Sequence, residues 1–424
     1  MKPLFVISSP FDTYSGYGAR ARDVIKAIIE TNKYNVKLMS QRWGNTSFGF
    51  CTDNPEWEFL LEHVLTDNKL TQQPDIWAQI TVPNEFQSVG KYNIGFTAGM
   101  ETTLVHGSWV EGVNRMDITF VSSNHSKQTF LNSVFEKSDN QGRKHGQIKV
   151  EKPIEVLFEG ANTDIYKVIN SQFPLDIKED FAYLFVGHWM QGDLGEDRKN
   201  VGLLVKAFLE TFKNKKNKPA LVLKTSQVNS SYVDRNIILK KLSQIKKTVN
   251  SKDLPSIYLL HGDFSDTEMN EIYNHPKIKA MVSLTKGEGF GRPLLEFTLS
   301  KKPIITSYWS GHTDFLVKDF ICGIEGELKN VHNSAVVENM ILAESQWFSP
   351  YHNQIGHSLK DVFENYKKYT DGAKRQAYKS KNEFSWEAMK STLDNLLTNL
   401  IPDFPKQIEL KLPKLNLPKL EKNG

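Results

Sequence analysis

Cysteine is nearly absent from this chain of 424 residues, occurring only as Cys51 and Cys322. Two thiols support neither a disulfide framework nor a cysteine-rich metal site, and such usage suits a reducing, cytoplasmic compartment. Long apolar runs are missing too. No segment approaches the ~20 apolar residues of a membrane-spanning helix, so the expected membrane contact is at most peripheral. The opening Met1-Lys2-Pro3-Leu4-Phe5-Val6-Ile7-Ser8-Ser9-Pro10 holds too short an apolar run for a signal-peptide core and reads as a first strand. Charge of one sign is equally scarce. Lys and Arg number 53 against 49 Asp and Glu, a formal +4 that falls short of a dedicated nucleic-acid binder. Basic clusters at Lys213, Lys215, Lys216 and Lys218, at Lys240-Lys241 and at Lys246-Lys247 read first as solvated helix faces. The functional alternative is a shallow patch for anionic lipid, nucleic acid or a phosphorylated acceptor.

Length and alternation are what the chain does have. At ~150 residues per domain, its length predicts two domains of about 200 residues. Strand-like apolar runs alternate with helical patterns, which is the signature of βαβ units around parallel sheets and an α/β class. Strands are expected near residues 4–8, 35–39, 76–80, 92–96, 118–121 and 155–158, and again near 182–186, 220–225, 257–260, 280–284 and 303–306. The pattern restarts after about residue 170, and the polar stretch 167–180 with Pro174 reads as a linker. The expected domains are therefore 1–168 and 181–380, with a cleft between them at the carboxyl ends of the strands. Residues 401–424 carry Leu412-Pro413-Lys414-Leu415 and again Leu417-Pro418-Lys419-Leu420. They read as an extended, proline-spaced tail.

The most chemically informative stretch is Lys286-Gly287-Glu288-Gly289-Phe290-Gly291-Arg292-Pro293-Leu294-Leu295-Glu296. It follows the apolar run Ala280-Met281-Val282-Ser283-Leu284, giving a strand, a glycine turn and a helix with Pro293 at its expected first position. Gly289 and Gly291 let backbone approach a ligand, and the N–H groups of the helix start suit a diphosphate. The glutamates suit diols, because a carboxylate accepts two hydrogen bonds from vicinal hydroxyls. Glu296 in the first turn fits a ribose and Glu288 at the strand end a hexose. The alternative is a capped core helix whose acidic residues complement its dipole. In the first half, Ser15-Gly16-Tyr17-Gly18-Ala19-Arg20 follows the opening strand but lacks the third glycine of a dinucleotide fingerprint.

Together these motifs resemble glycosyltransferase family 4, whose retaining enzymes have the GT-B fold of two facing Rossmann-like domains. The resemblance rests on the Glu288 to Glu296 motif followed by Lys302-Pro303-Ile304-Ile305-Thr306 and Ser310-Gly311. It extends to Phe158-Glu159-Gly160-Ala161-Asn162-Thr163-Asp164, to Phe185-Val186-Gly187 followed by Arg198-Lys199-Asn200-Val201, and to Leu260-His261-Gly262 with Asp266 and Glu268. Phe384-Ser385-Trp386-Glu387 is similar to the start of the family's closing helix, which implies a helix near 385–400 crossing back to the first domain. The resemblance implies a nucleoside-diphosphate sugar as substrate, with no cofactor and no metal. It places Gly16, Gly18, Gly187, Gly289, Phe290, Gly291 and Glu296 against the donor. Arg198 and Lys199 fall where the family's lysine offsets charge on the leaving diphosphate, and Glu288 meets the transferred sugar.

Two departures from the family stand out. His188 replaces the usual arginine after Gly187 and precedes an insertion at 189–197, which leaves Arg198 to supply that charge. Thr97-Ala98-Gly99-Met100-Glu101-Thr102-Thr103 lacks the histidine common near the transferred sugar, so Glu101 becomes the candidate for positioning the acceptor hydroxyl or taking its proton, with His106 behind it. His125 reads as a helix-capping neighbour. The resemblance favours a glycan or lipid-linked glycan as acceptor. Alternatives are a hydroxymethylated nucleic-acid base, which would make binding steeply salt-dependent, or a non-catalytic sugar-nucleotide-binding module.

Overall fold

The computed structural model describes residues 2–138, 141 and 143–404. Most of the proline-spaced tail, from residue 405 on, lies outside the described residues. The first half supplies β1 (Leu4–Ser9), β2 (Asn35–Ser40), β3 (Ile76–Ile80), β4 (Tyr92–Thr97), β5 (Ile118–Val121), a hairpin of β6 (Phe135–Ser138) and β7 (Lys144–Ile148), and β8 (Ile154–Val156). The second supplies β9 (Ala182–Val186), β10 (Ala220–Lys224), β11 (Ile257–Leu260), β12 (Ile278–Ser283), β13 (Ile304–Ser307), β14 (Cys322–Ile324) and a hairpin of β15 (Gly326–Asn330) and β16 (Gln346–Pro350).

Two six-stranded sheets result, ordered β2-β1-β3-β4-β5-β8 and β11-β10-β9-β12-β13-β14, and their strand pairs run parallel. Phe5 lies beside both Val36 and Ile76, and Leu184 beside both Val222 and Met281. Phe5, Val6 and Ile7 are all fully buried although they point alternately to opposite faces, because helices cover both sides of a parallel sheet. That is why such strands read as continuous apolar runs. The eleven expected strands form, with ends shifted by a residue or two. The run expected at 155–158 stops at Val156, and β14 with both hairpins has no counterpart in the sequence reading. A three-residue edge strand and polar hairpins leave too little periodicity to detect.

The closing helix Trp386–Leu400, capped by Ser385, inserts Trp386, Met389, Leu393 and Leu397 into the core of the first sheet beside Val24, Ile25 and Ile28. The chain thus passes between the sheets twice, and the two passages pair. Ala161 donates to the Phe384 carbonyl at 2.9 Å, and Trp386 donates to the Ala161 carbonyl at 2.8 Å. The order reverses between β1 and β3 in one sheet and between β9 and β12 in the other, the positions beyond which open α/β sheets bind ligands. Residues 10–18, 98–101, 187 and 284–291 all leave the carboxyl ends of strands at these places.

Candidate active site

The turn after β12 is built to bring Glu288 to the cleft. Gly291 adopts φ +98°, a left-handed conformation that side chains resist, and starts the helix Arg292–Thr298. The helix therefore begins one residue before Pro293, and Glu296 lies beyond its first turn, which corrects both sequence expectations. With seven residues the helix has little macrodipole, so compensation for an anion falls to side chains.

The expected cations Arg198 and Lys199 are tied directly to this turn. Asn200 donates to the Leu284 carbonyl at 3.0 Å, and the Lys286 N–H donates to the Arg198 carbonyl at 2.8 Å. These bonds lock the start of the helix Val201–Phe212 against the donor turn. Lys199 Nζ then sits 2.5 and 2.6 Å from the two carboxylate oxygens of Glu288, both groups buried. Arg198 Nη1 lies 3.6 Å from Glu288 and 3.2 Å from Glu101, which belongs to the first domain. Arg198, Lys199, Glu288 and Glu101, drawn from three separate segments, form one charge cluster across the cleft. Burial raises the Glu288 carboxyl, but the Lys199 ammonium and Arg198 guanidinium outweigh it and hold the group at about 2. Burial pulls Lys199 down from its ordinary value while Glu288 works against that shift. Glu288 is therefore an acceptor of hydrogen bonds at neutral pH and not a proton donor.

Glu296 faces a second polar cluster. It accepts from Arg292 Nε at 2.8 Å and from the Tyr273 hydroxyl at 3.4 Å. Burial, opposed by Arg292 and assisted by Asp266, pushes its carboxyl up to about 7. The other face of Arg292 reaches Asp23 of the opening helix Gly16–Glu30 at 2.5 Å, an ion pair between the two domains. Sequence reasoning passed over Asp23 and Arg292, because nothing in their local pattern distinguishes an interdomain pair from surface charge.

The two domains meet closely at the site. A Cβ on Gly289 would lie 2.4 Å from the Ala98 carbonyl oxygen, and Ser122 of the first domain donates to the Gly289 carbonyl at 3.2 Å. Asp314 accepts from the Asn124 N–H at 2.8 Å, and Thr103 and Gln346 exchange two hydrogen bonds of 2.9 Å. Ser310 Oγ accepts from the Glu288 N–H at 2.8 Å, which accounts for the small-residue turn after β13. His312 was missed by sequence. It is fully buried near Glu288, donates through Nε2 to the Ser307 carbonyl at 2.6 Å, and so leaves Nδ1 as an acceptor with no partner among the described residues.

The remaining expected residues fall as follows. Gly16 is exposed at the helix start, and Tyr17 ties that loop to the end of β4 through Thr97 Oγ1 at 2.9 Å. Gly18 is required by packing, since a Cβ there would meet the Thr13 carbonyl at 2.3 Å. Gly187 lies against the Lys199 side chain, where a Cβ would sit 3.6 Å from Lys199 Cε. The Phe290 ring is a core group, 5.0 Å from Phe315, so only its backbone is available to a ligand. His106 caps the helix Gly107–Asn114 by accepting from Ser108, and His125 stacks edge-on against Trp309. The insertion after His188 is structural at both ends: Trp189 enters the core of the second sheet, and Asp197 accepts from the Val201 N–H at 3.0 Å. Among the described residues no group of three or more His, Cys, Asp or Glu side chains could hold a metal ion, and no helix is long and apolar enough to cross a membrane.

Comparison with solved structures fixes the architecture. Sucrose-phosphate synthase from Thermosynechococcus elongatus superposes with a TM-score of 0.62 at 11% identity, over 94% of this chain and 99% of that one. The fold is GT-B. A glycosyltransferase from Rickettsia africae gives a TM-score of 0.59 at 14% identity over 95% and 100% of the two chains. HepE of Anabaena, solved with UDP and glucose, gives 0.57 at 13% identity over 94% and 100%. Neither a protein-family model nor a curated protein sequence matches the chain. At these identities the likeness carries the GT-B fold and leaves the chemistry to the residues themselves.

Proposed function

We propose that the chain is a retaining glycosyltransferase that moves a sugar from a nucleoside-diphosphate sugar to an acceptor hydroxyl of a glycan or lipid-linked glycan. The observation that carries this reading is the Lys199–Glu288–Arg198–Glu101 charge cluster, with Lys199 and Glu288 buried, at the carboxyl ends of both sheets. Structures of HepE with UDP-glucose and of an Escherichia coli trehalose-6-phosphate protein with UDP-2-fluoro glucose, both similar in fold, support a nucleotide sugar as donor.

In this reading the diphosphate takes Lys199 and Arg198 as its counter-charges. They offset the negative charge that grows on the leaving nucleoside diphosphate as the anomeric C–O bond breaks, a preorganised stabilisation needing no metal or cofactor. Glu288, released from part of its ion pairing and still ionised, accepts hydrogen bonds from sugar hydroxyls. The acceptor oxygen bonds to the anomeric carbon on the face the diphosphate leaves, and its proton passes to the departing phosphate oxygen. Glu101, next to Arg198 on the first-domain side, orients that hydroxyl. Glu296 accepts from the ribose diol, and the contact between residues 98 and 289 excludes water from the closed site.

Release of nucleoside diphosphate from a panel of UDP-, GDP- and ADP-sugars, measured for the wild type and for Glu296→Ala, tests the proposal. Release from one donor that the variant loses establishes the donor. No release and no calorimetric donor binding across the panel would sink the reading.

A further inference from the structure

We infer that the outward face of the helix Tyr232–Thr248 is a docking surface for an anionic lipid bilayer. This rests on the proposed function only in what it implies for the acceptor, namely that the cleft then opens toward a lipid-linked substrate. The helix buries Ile238, Leu242 and Ile245 in the core of the second sheet. Its other side should then be polar, yet Tyr232 is 73% and Val233 68% exposed, and the preceding Val228 is exposed as well, while Ile237 and Leu239 flank the buried stripe on opposite sides. Interleaved with them are exposed Arg235, Lys240, Lys246 and Lys247, none of which is in an ion pair among the described residues. The helix has a single acidic residue, Asp234, and it is buried. Asp234 accepts from the Gln227 and Val228 N–H groups at 2.9 Å each and lies 2.9 Å from His261 Nε2. The outward face thus combines exposed apolar side chains at its start with four positive charges that no carboxylate among the described residues pairs.

Position adds meaning to that composition. The segment from β10 to the helix runs beside the site: Gly187 donates to the Lys224 carbonyl at 3.1 Å, and Ser226 Oγ lies 3.1 Å from His188 Nδ1. Val228, Tyr232 and Val233 therefore stand at the rim of the cleft. Lys246 and Lys247 stand at the far end, where Ser251 Oγ bonds Asn214 and so brings exposed Lys215 and Lys216 near. A second copy of the chain would set like charges face to face. A polyanion such as duplex DNA would satisfy the cations and leave the exposed aliphatic groups against phosphate. A bilayer carrying acidic headgroups satisfies both, with side chains at the rim entering the interface and lysines meeting the headgroups.

Cosedimentation of the full chain with vesicles tests this without donor or acceptor, so its failure is separable from failure of the transferase reading. The wild type should pellet with equimolar phosphatidylglycerol and phosphatidylcholine vesicles at low salt, weaken as salt rises, and stay in solution with phosphatidylcholine alone. The triple variant Lys240→Glu, Lys246→Glu, Lys247→Glu should bind about tenfold or more weakly. Tyr232→Ser, Val233→Ser should also lose binding with an unchanged melting temperature, because both side chains are mostly exposed; far-ultraviolet circular dichroism of both variants at the assay temperature checks that the fold persists. No binding to anionic vesicles, or binding that both variants retain, would overturn the inference. So would duplex DNA that binds tightly through the same lysines while the apolar variant is unaffected.

Discussion

The ion pair between Asp23 and Arg292 should control closure of the cleft, and Asp23→Asn is the substitution that isolates it. Arg292 Nη1 lies 2.5 Å from the Asp23 carboxylate, with Asp23 buried and Arg292 16% exposed. Removing one partner of a buried pair costs about 3–5 kcal/mol, because the other charge is left desolvated. Arg292 retains Glu296 at 2.8 Å, which brings the expected cost to about 2–3 kcal/mol. The pair joins two domains, each with its own core, so the cost falls on the closed arrangement far more than on folding. At 1.36 kcal/mol per tenfold, kcat/KM for nucleoside-diphosphate release should drop about 30- to 160-fold. The melting temperature should move little, and small-angle scattering should report a larger radius of gyration. A kcat/KM within about threefold of wild type, with unchanged scattering, would refute the argument that this pair holds the domains together.

Three further outcomes follow from the site. The Glu296 carboxyl, pushed up to about 7, binds a proton in the folded chain that the unfolded chain has already lost. Its stabilising contribution is therefore complete below about pH 4.5 and falls as pH rises through 7; Glu296→Gln should flatten that slope in pH-dependent denaturation and remove a step near 7 from the kcat/KM profile. Lys199→Met should lower kcat about 10²- to 10³-fold by deleting a cation aimed at the leaving group, while single-turnover assays with saturating donor separate this from weakened binding. Gly289→Ala places a methyl 2.4 Å from the Ala98 carbonyl across the cleft, so it should cut turnover sharply with little change in thermal midpoint. Equal losses of thermal stability and turnover would show that the contact serves folding instead.

The alternation of apolar runs was enough to specify two parallel α/β sheets, because strands buried on both faces must be apolar throughout. Phe5, Val6, Ile7 and Tyr183, Leu184, Phe185 show that requirement directly. The strand, glycine turn and helix around Gly291 are legible in the same way, and Glu288, Lys199 and Arg198 stand out as candidates because their motifs have distinctive neighbours. Local sequence could not say that Arg198 reaches Glu101, that Arg292 pairs with Asp23, or that Phe290 turns into the core while His312 Nδ1, near Glu288, has no partner among the described residues. These depend on which side of each element faces the other domain. Nor could it assign the 73% exposure of Tyr232, since an apolar residue on a helix looks the same whether or not anything covers it. Sequence periodicity records the environment averaged along one element, whereas burial of a particular charge or exposure of a particular ring is decided by contacts with other elements of the chain, and only the packed chain brings them together.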